Sequence, residues 1–238
     1  MASWDLLDSG ILTAAENMAL DKALLDGLSQ RSKPLLRLYD WKNPSITFGY
    51  FSNPAQWLNL ALLSEMQFDL AKRPTGGGLT IHIGDMAFSV FVPACDPHFS
   101  CCTLDNYAYI NQAVVQAVED CFSISHLQLL VNAKEPLQQA RQHFCMAHPT
   151  QYDVVIDGKK VGGAAQRRTK EGFLHHGTIC FNVPEVDLLN KLFREEVRAV
   201  LVEAISNTSF PLAEGRSADE LVVMRKQLQE ALFARLSG

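Results

Sequence analysis

The chain predicts a mixed α/β fold, a β-sheet flanked by helices, and three observations carry that prediction. Apolar and polar residues alternate through 35–41, 45–51, 79–83 and 86–92, the period of half-buried strands. Apolar residues recur near helical spacing through 13–29 and 103–122, which marks amphipathic helices. Asp157-Gly158 stands between two further strand-like runs, and Asp-Gly in that setting is a strong hairpin turn.

Thr13-Ala-Ala-Glu16 reads as a capping box that satisfies the first orphan N–H groups of a helix. Met18, Leu20, Ala23, Leu24 and Leu28 supply its apolar face. After Pro34 come two strands separated by Pro44, and their aromatics Tyr39, Trp41 and Phe48 are expected in the core more than at a ligand. Asn53-Pro54 is an N-cap followed by proline at the first helical position, opening a short helix to about Met66. The loop 94–102 holds Cys95, His98, Cys101 and Cys102. That approaches metal-ligand spacing, but no second ligand cluster accompanies it, and reduced loop thiols are the preferred reading. Tyr107, Ile110, Val114, Ala117 and Cys121 line one face of the helix 103–122, and 126–131 reads as a strand. Residues 132–150 carry only a weak pattern. Residues 185–206 are helical with a break expected near Phe193, and Pro211 and Gly215 mark a linker. A second capping box, Ser217-Ala-Asp-Glu220, opens a last helix with the stripe Leu221, Met224, Leu228 and Leu232. Its expected role is packing on the main domain, with partner docking as the alternative.

Composition narrows the function classes. The 238 residues are 47% hydrophobic and 20% charged, ordinary for a globular protein. A net charge of −5 argues against general binding of nucleic acid or an acidic membrane. No apolar run reaches the roughly 20 residues that span a bilayer. Asp5 and Asp8 stand where a secretory signal would need a basic region before an apolar core. The six cysteines, with no such signal, read as reduced thiols of a cytoplasmic protein.

Two stretches carry chemistry. The first is Arg73-Pro-Thr-Gly-Gly-Gly-Leu-Thr-Ile-His82. Glycines let backbone approach a ligand closely and take positive φ, and successive bare N–H groups form an anion-binding concavity. Arg73 adds a fixed cation suited to phosphate or carboxylate. A plain hairpin loop is the alternative; the stretch is neither a P-loop nor G-x-G-x-x-G. The second runs from Tyr152 through Gly158-Lys-Lys160-Val-Gly-Gly-Ala-Ala-Gln-Arg-Arg168 to Phe173-Leu-His-His-Gly-Thr-Ile-Cys-Phe181.

Together and in this order, these stretches resemble the lipoate–protein ligase and octanoyltransferase family. Its marks are an R-x-x-G-G-G-x-x-x-H loop, a G-K-K/R-[VI]-x-G-x-A strand and an H-H-G-T/S strand, and the resemblance covers roughly residues 5–200. It implies a curved mixed sheet flanked by helices, a biotin/lipoate ligase-like catalytic domain at 1–205 with a short helical C-terminal extension at 206–238. It implies an enzyme that attaches lipoyl or octanoyl groups to a lysine of a lipoyl domain, in a 2-oxoacid dehydrogenase E2 or a glycine cleavage H protein.

Residue by residue, the resemblance makes Lys160 the cation at the reacting carbonyl. Lys159 alternates to the opposite strand face and is expected in solvent. Arg73 and the glycine loop Gly76, Gly77, Gly78, with Leu79, Thr80 and Ile81, resemble the family's phosphate and acyl-carbonyl cradle. Pro74 stands where many ligases carry another basic residue, which weakens the nucleotide reading. His82 bonds the loop or substrate, or is a core histidine. Val161, Gly162 and Gly163 bring backbone close, Gly163 and Ala165 are substrate-binding candidates, and Arg167 is placed at a phosphate or in an exposed ion pair. Of His175 and His176, alternation sends one inward, and His176, leading Gly177 and Thr178, is the choice. Cys145-Met-Ala-His-Pro149-Thr-Gln-Tyr152-Asp153 resembles the C-x-x-x-P-S-x-Y-E/D segment of cysteine-dependent octanoyltransferases, in which the thiolate takes the acyl group as a thioester.

An amine cannot displace a free carboxylate, so the acid must arrive as an adenylate or a thioester. The first choice is a lipoate–protein ligase that uses ATP and Mg²⁺ to form lipoyl-AMP. The second is octanoyl transfer from acyl carrier protein through Cys145 without ATP. Biotin ligation comes third, because G-R-G-R-x-x-x-W is absent. A non-catalytic acyl-ligand-binding paralogue is the reading from another class. No structural metal, nucleic acid or membrane is expected in any of these.

Overall fold

The structure is a computed structural model that describes residues 4–122, 124, 126–131 and 149–238. Seven strands form the main sheet. In spatial order they are Asp5–Leu12 (β1), Leu35–Trp41 (β2), Asp85–Pro93 (β6), Gly172–Cys180 (β10), Lys159–Thr169 (β9), Val154–Ile156 (β8) and Leu127–Leu129 (β7). Only β1 and β2 run parallel; every other neighbouring pair is antiparallel. A second sheet has Asp69–Lys72 (β4), Ser45–Phe48 (β3) and Leu79–His82 (β5), in that order.

Every residue of β6 and β10 is buried, because these central strands are covered on both faces. Phe88, Val90, Val92, Phe173 and Ile179 pack against the helices Thr103–Cys121 (α3) and Ala218–Ser237 (α6). On the other face, Phe91 and Leu174 meet Leu25 and Leu28 at the end of the helix Ala14–Asp26 (α1). A second core lies under the small sheet, where Ile46 and Leu79 meet Leu63 of Leu60–Glu65 (α2), Leu192 of Val186–Leu192 (α4) and Leu201 of Glu195–Thr208 (α5).

Both capping boxes form: Glu16 N donates to Thr13 Oγ1 while Thr13 N donates to Glu16 Oε2, and Ser217 with Glu220 repeats the pattern. The hairpin at Asp157-Gly158 takes positive φ at both residues, +49° and +78°, as a type I′ turn requires. The break near Phe193 separates α4 from α5, with Phe193 extended at ψ 145°.

Three elements differ from expectation. α1 buries Ala14, Asn17, Met18, Asp21 and Leu25, leaving Ala23 exposed; its inner face includes two polar residues because polar partners wait for them below. Strand β1 was not anticipated. It is a sheet edge with mostly exposed side chains, so it lacks the alternation that marks half-buried strands. The helix expected from Asn53 to Met66 is a single 3₁₀ turn, Pro54–Gln56, followed by α2. The chain is interrupted where Leu58 bridges Phe193, and Asn59 caps afresh by accepting from Leu62 N. α6 packs on the main domain as expected, burying Leu228, Leu232 and Leu236 in the same core as α3. Among the described residues no helix is long and apolar enough to cross a membrane.

Candidate acyl-transfer site

The glycine loop crosses from β4 to β5 above the middle of β10. Gly77 has φ +85° and is exposed, a conformation glycine adopts without steric cost. A Cβ on Gly49 would lie 1.9 Å from the Gly77 carbonyl oxygen, so Gly49, absent from the sequence expectations, is what lets the loop lie down on β3. Each carbonyl of 75–78 has a protein donor. Tyr50 N donates to Thr75 O at 2.9 Å, Arg73 Nη2 to Gly76 O at 3.1 Å and to Gly78 O at 2.8 Å, and Ser52 Oγ to Gly77 O at 2.9 Å. Among the described residues the N–H groups of Gly76, Gly77 and Gly78 donate to no protein acceptor. A loop whose acceptors are all engaged and whose donors are free presents positive potential to whatever lies against it.

Arg73 achieves this as a brace. Besides the two loop carbonyls, its Nη1 donates to Thr47 O, Thr47 Oγ1 and Thr80 Oγ1 at 3.2, 2.9 and 3.0 Å. Its guanidinium is thus turned into the loop, not held out for a phosphate. Its charge still borders a narrow apolar slot lined by Met18, Tyr39, Trp41, Thr80, His82, Gly163, Ala165, His176, Gly177 and Thr178. Leu79 and Ile81 line a neighbouring hollow that shares Thr80 and Thr178 with the slot.

Two buried histidines stand in the slot wall. His82 Nδ1 meets Asp85 Oδ2 at 2.7 Å, its Nε2 meets Thr47 Oγ1 at 2.8 Å, and its ring stacks on Trp41 at 4.2 Å. Thr178 Oγ1 donates to the same Asp85 oxygen at 2.5 Å. Burial pushes the Asp85 carboxyl up, but His82 and Thr178 outweigh it and hold it below the usual carboxylate range. His176 joins Asp21 Oδ2 through Nε2 at 2.7 Å and Thr75 Oγ1 through Nδ1 at 3.0 Å. Burial keeps its pKa below the ordinary histidine value, with Asp21 opposing and Arg73 and Arg37 assisting.

The expectation that only one of His175 and His176 points inward is corrected: both are buried, at 0% and 7% exposure, because β10 is covered on both faces. His176 faces the slot, while His175 faces α3, between Phe88 and Tyr107. Gly177 floors the slot with its backbone, yet its missing side chain serves the opposite face, where a Cβ would come within 2.1 Å of Phe88 Cζ. Arg167 braces the loop from outside, donating to Pro74 O at 3.1 Å with its guanidinium over the Tyr50 ring.

Lys160 is 1% exposed and its Nζ lies 2.7 Å from Asp153 Oδ2, whereas Lys159 is exposed. Lys160 does not line the slot. The same Asp153 oxygen accepts from Thr150 N and Thr150 Oγ1 at 2.6 and 2.8 Å. The described end of the cysteine-bearing segment is therefore tied to Lys160. Cys145 itself lies outside the described residues. His98 hydrogen-bonds Asp96 at 2.9 Å and stacks on Tyr109, and among the described residues no group of three or more His, Cys, Asp or Glu side chains is placed to hold a metal.

Residues 13–209 match the family model described as the lipoyl protein ligase A/B catalytic domain. The chain belongs to that family. It is therefore an enzyme of the ligase and acyltransferase kind, in protein lipoylation. It is 32% identical to the octanoyltransferase LipM of Halalkalibacterium halodurans over 225 residues, 91% of this chain and 80% of that one. It is 30% identical to the octanoyltransferase LipM of Bacillus subtilis over 245 residues, 99% of this chain and 84% of that one. Among solved structures it superposes on the bipartite lipoate protein ligase of Thermoplasma acidophilum with a TM-score of 0.71 at 23% identity, covering 99% of this chain and 84% of that one. At that identity the superposition establishes the lipoate ligase-like fold and no more. The relatives overturn the ligase as first choice: those that share about a third of their residues with this family member are octanoyltransferases, not lipoate–protein ligases.

Proposed function

We propose that the chain is an octanoyltransferase that moves an octanoyl group from acyl carrier protein to a lysine of a lipoyl domain through a thioester on Cys145. The observation that carries this reading is the octanoyltransferase identity of relatives aligned over more than nine-tenths of the chain. The site supports it. The slot offers apolar walls for an alkyl chain, and the free N–H groups of Gly76, Gly77 and Gly78 suit an oxygen that gains charge during acyl transfer. Asp153 ties Thr150 to Lys160, and Cys145 precedes Thr150 by five residues, a reach of at most about 18 Å.

The chemistry is two acyl exchanges. The Cys145 thiolate attacks the carrier's thioester carbonyl; a new C–S bond forms, the old one breaks, and the carrier leaves as its thiolate. The neutral amine of the lipoyl-domain lysine then attacks the Cys145 thioester, forming C–N and breaking C–S. The amine loses a proton and Cys145 is regenerated. Since the acyl group arrives activated, neither ATP nor Mg²⁺ is consumed. The acceptor is a lipoyl domain of a 2-oxoacid dehydrogenase E2 or a glycine cleavage H protein.

The test incubates the protein with octanoyl-carrier protein and an apo lipoyl domain, without ATP, and weighs the lipoyl domain by mass spectrometry. An octanoylated domain is expected, together with an octanoyl adduct on Cys145 that hydroxylamine removes. Cys145→Ser should abolish both, because a hydroxyl without a dedicated base is a far weaker nucleophile. Transfer at wild-type rate by that variant, or transfer only with ATP present, would overturn the proposal.

A further inference from the structure

The slot wall contains two chains of the same composition, each carboxylate to imidazole to threonine hydroxyl. Asp85, His82 and Thr47 form one, which reaches the glycine loop through Arg73. Asp21, His176 and Thr75 form the other, which ends inside the loop itself. The order resembles that of a nucleophilic triad. Thr75 and Thr47 are nevertheless fully buried, so no acyl carbon can reach either oxygen. The chains orient; they do not attack.

The hydrogen positions in the second chain follow from its chemistry. Arg37 Nη1 donates to Asp21 Oδ1 at 2.7 Å, and both side chains are fully buried. In this ion pair the Asp21 carboxylate can only accept. Arg37 is itself seated by Asn17, whose Oδ1 and backbone oxygen accept at 2.6 and 3.2 Å, and by Ser9 Oγ at 2.9 Å. Ser89 Oγ donates to Asp21 Oδ2 beside His176. The proton of a neutral His176 therefore sits on Nε2, and Nδ1 is bare and accepts from the Thr75 hydroxyl. With Tyr50 N on the Thr75 carbonyl, Thr75 is held at two points.

We infer that Asp21, seated by Arg37, is a positioning residue for acyl transfer: by setting the His176 tautomer it fixes the Thr75 end of the glycine loop, and with it the N–H groups that face the reacting carbonyl. The inference rests on the octanoyl-transfer reading for its kinetic consequence but not for its structural one. Asp21 and Arg37 are fully buried and neither lines the slot, so the effect must run through His176.

Asp21→Asn tests it. An amide N–H facing Nε2 reverses the hydrogen bond, moves the His176 proton to Nδ1 and leaves the Thr75 hydroxyl without its acceptor. Nitrogen-15 NMR of histidine-labelled protein, assigned with His176→Gln, should show the bare nitrogen move from Nδ1 to Nε2. Amide exchange at Gly76, Gly77 and Gly78 should quicken. The kcat for octanoyl transfer should fall about 10- to 100-fold, the scale of a misplaced reacting group, with KM for the octanoyl carrier little changed. Thr75→Val should lose as much, Thr75→Ser should retain most activity, and the double variant Asp21→Asn/Thr75→Val should be no worse than either single one. A switched tautomer with kcat within about twofold of wild type, or losses that multiply in the double variant, would overturn the inference. If Asp21→Asn does not fold, equal activity of Thr75→Val and Thr75→Ser overturns it instead. If the wild type transfers no octanoyl group, the function fails on its own. The tautomer and exchange measurements then decide the positioning: an unswitched tautomer or unchanged loop exchange counts against it.

Discussion

Lys160 shows how burial changes the expected outcome of a familiar substitution. Read as a strand lysine in a family motif, Lys160→Ala should fold normally and lose only transfer. In the structure its ammonium is 1% exposed and 2.7 Å from Asp153, itself 1% exposed. Removing one member of a buried pair strands the other, a loss of about 3–5 kcal/mol. Lys160→Ala should therefore lose stability as well as transfer. Lys160→Met with Asp153→Asn should regain much of that stability while octanoyl transfer stays lost. Urea unfolding and the transfer assay separate the two effects, and a double variant that recovers turnover would remove Lys160 from the chemistry. Residue by residue, the motif positions were legible because the motifs name them. Their partners were not. Asp21 and Thr47 meet the motif residues through contacts such as His176 to Asp21, which lie 155 positions apart in the chain, and no local pattern announces such a meeting.

At the scale of elements, the boundaries were readable wherever capping or turn chemistry punctuates the chain. Thr13 and Glu16, Asp157 and Gly158, and Ser217 and Glu220 all sit where their local hydrogen bonds require. What failed was the choice of inner face. On α1 the residues Ala14, Asn17, Met18, Asp21 and Leu25 have the i, i+3, i+4, i+7, i+11 spacing of a buried stripe, but Asn17 and Asp21 disguise it, and a purely apolar template settles on Leu20 and Ala23 instead. A polar pair four residues apart inside an otherwise apolar stripe was the available signal, since buried polar groups demand buried partners. The last helix invites the opposite test. Leu228 and Leu232 are fully buried in the core that α3 also fills, and Arg225 and Arg235 reach Asp40 on β2 and Asp120 on α3. Leu232→Ala should cost about 2–5 kcal/mol and lower the single main denaturation transition. A separate early transition, with the main one unmoved, would mean that α6 unfolds independently of the sheet.

At the scale of the molecule, covering the central sheet on both faces places ionisable groups where neither face reaches water, and this makes stability depend on pH. His175 is fully buried in β10 against Phe88 and Tyr107, with Gln166 Nε2 2.7 Å from its Nδ1. Burial, with neighbouring His176 adding to it, pushes its pKa down to about 3. In the unfolded chain the same ring titrates near 6.5. Between those values the unfolded state holds a proton that the folded state refuses. The ring's contribution to stability is therefore complete above pH 6.5 and is lost as pH falls toward 3. At pH 4.5 the loss amounts to about 2–3 kcal/mol. His176 is lowered as well and works in the same direction. His175→Gln removes the titrating group; it should be less stable than wild type at pH 7 through lost ring packing, yet lose less on acidification. The check is urea unfolding of both proteins at pH 7 and pH 4.5. Wild type should drop by about 2–3 kcal/mol more than the variant. Equal drops would mean that the acid sensitivity arises from other groups and that His175 takes up its proton without unfolding the sheet.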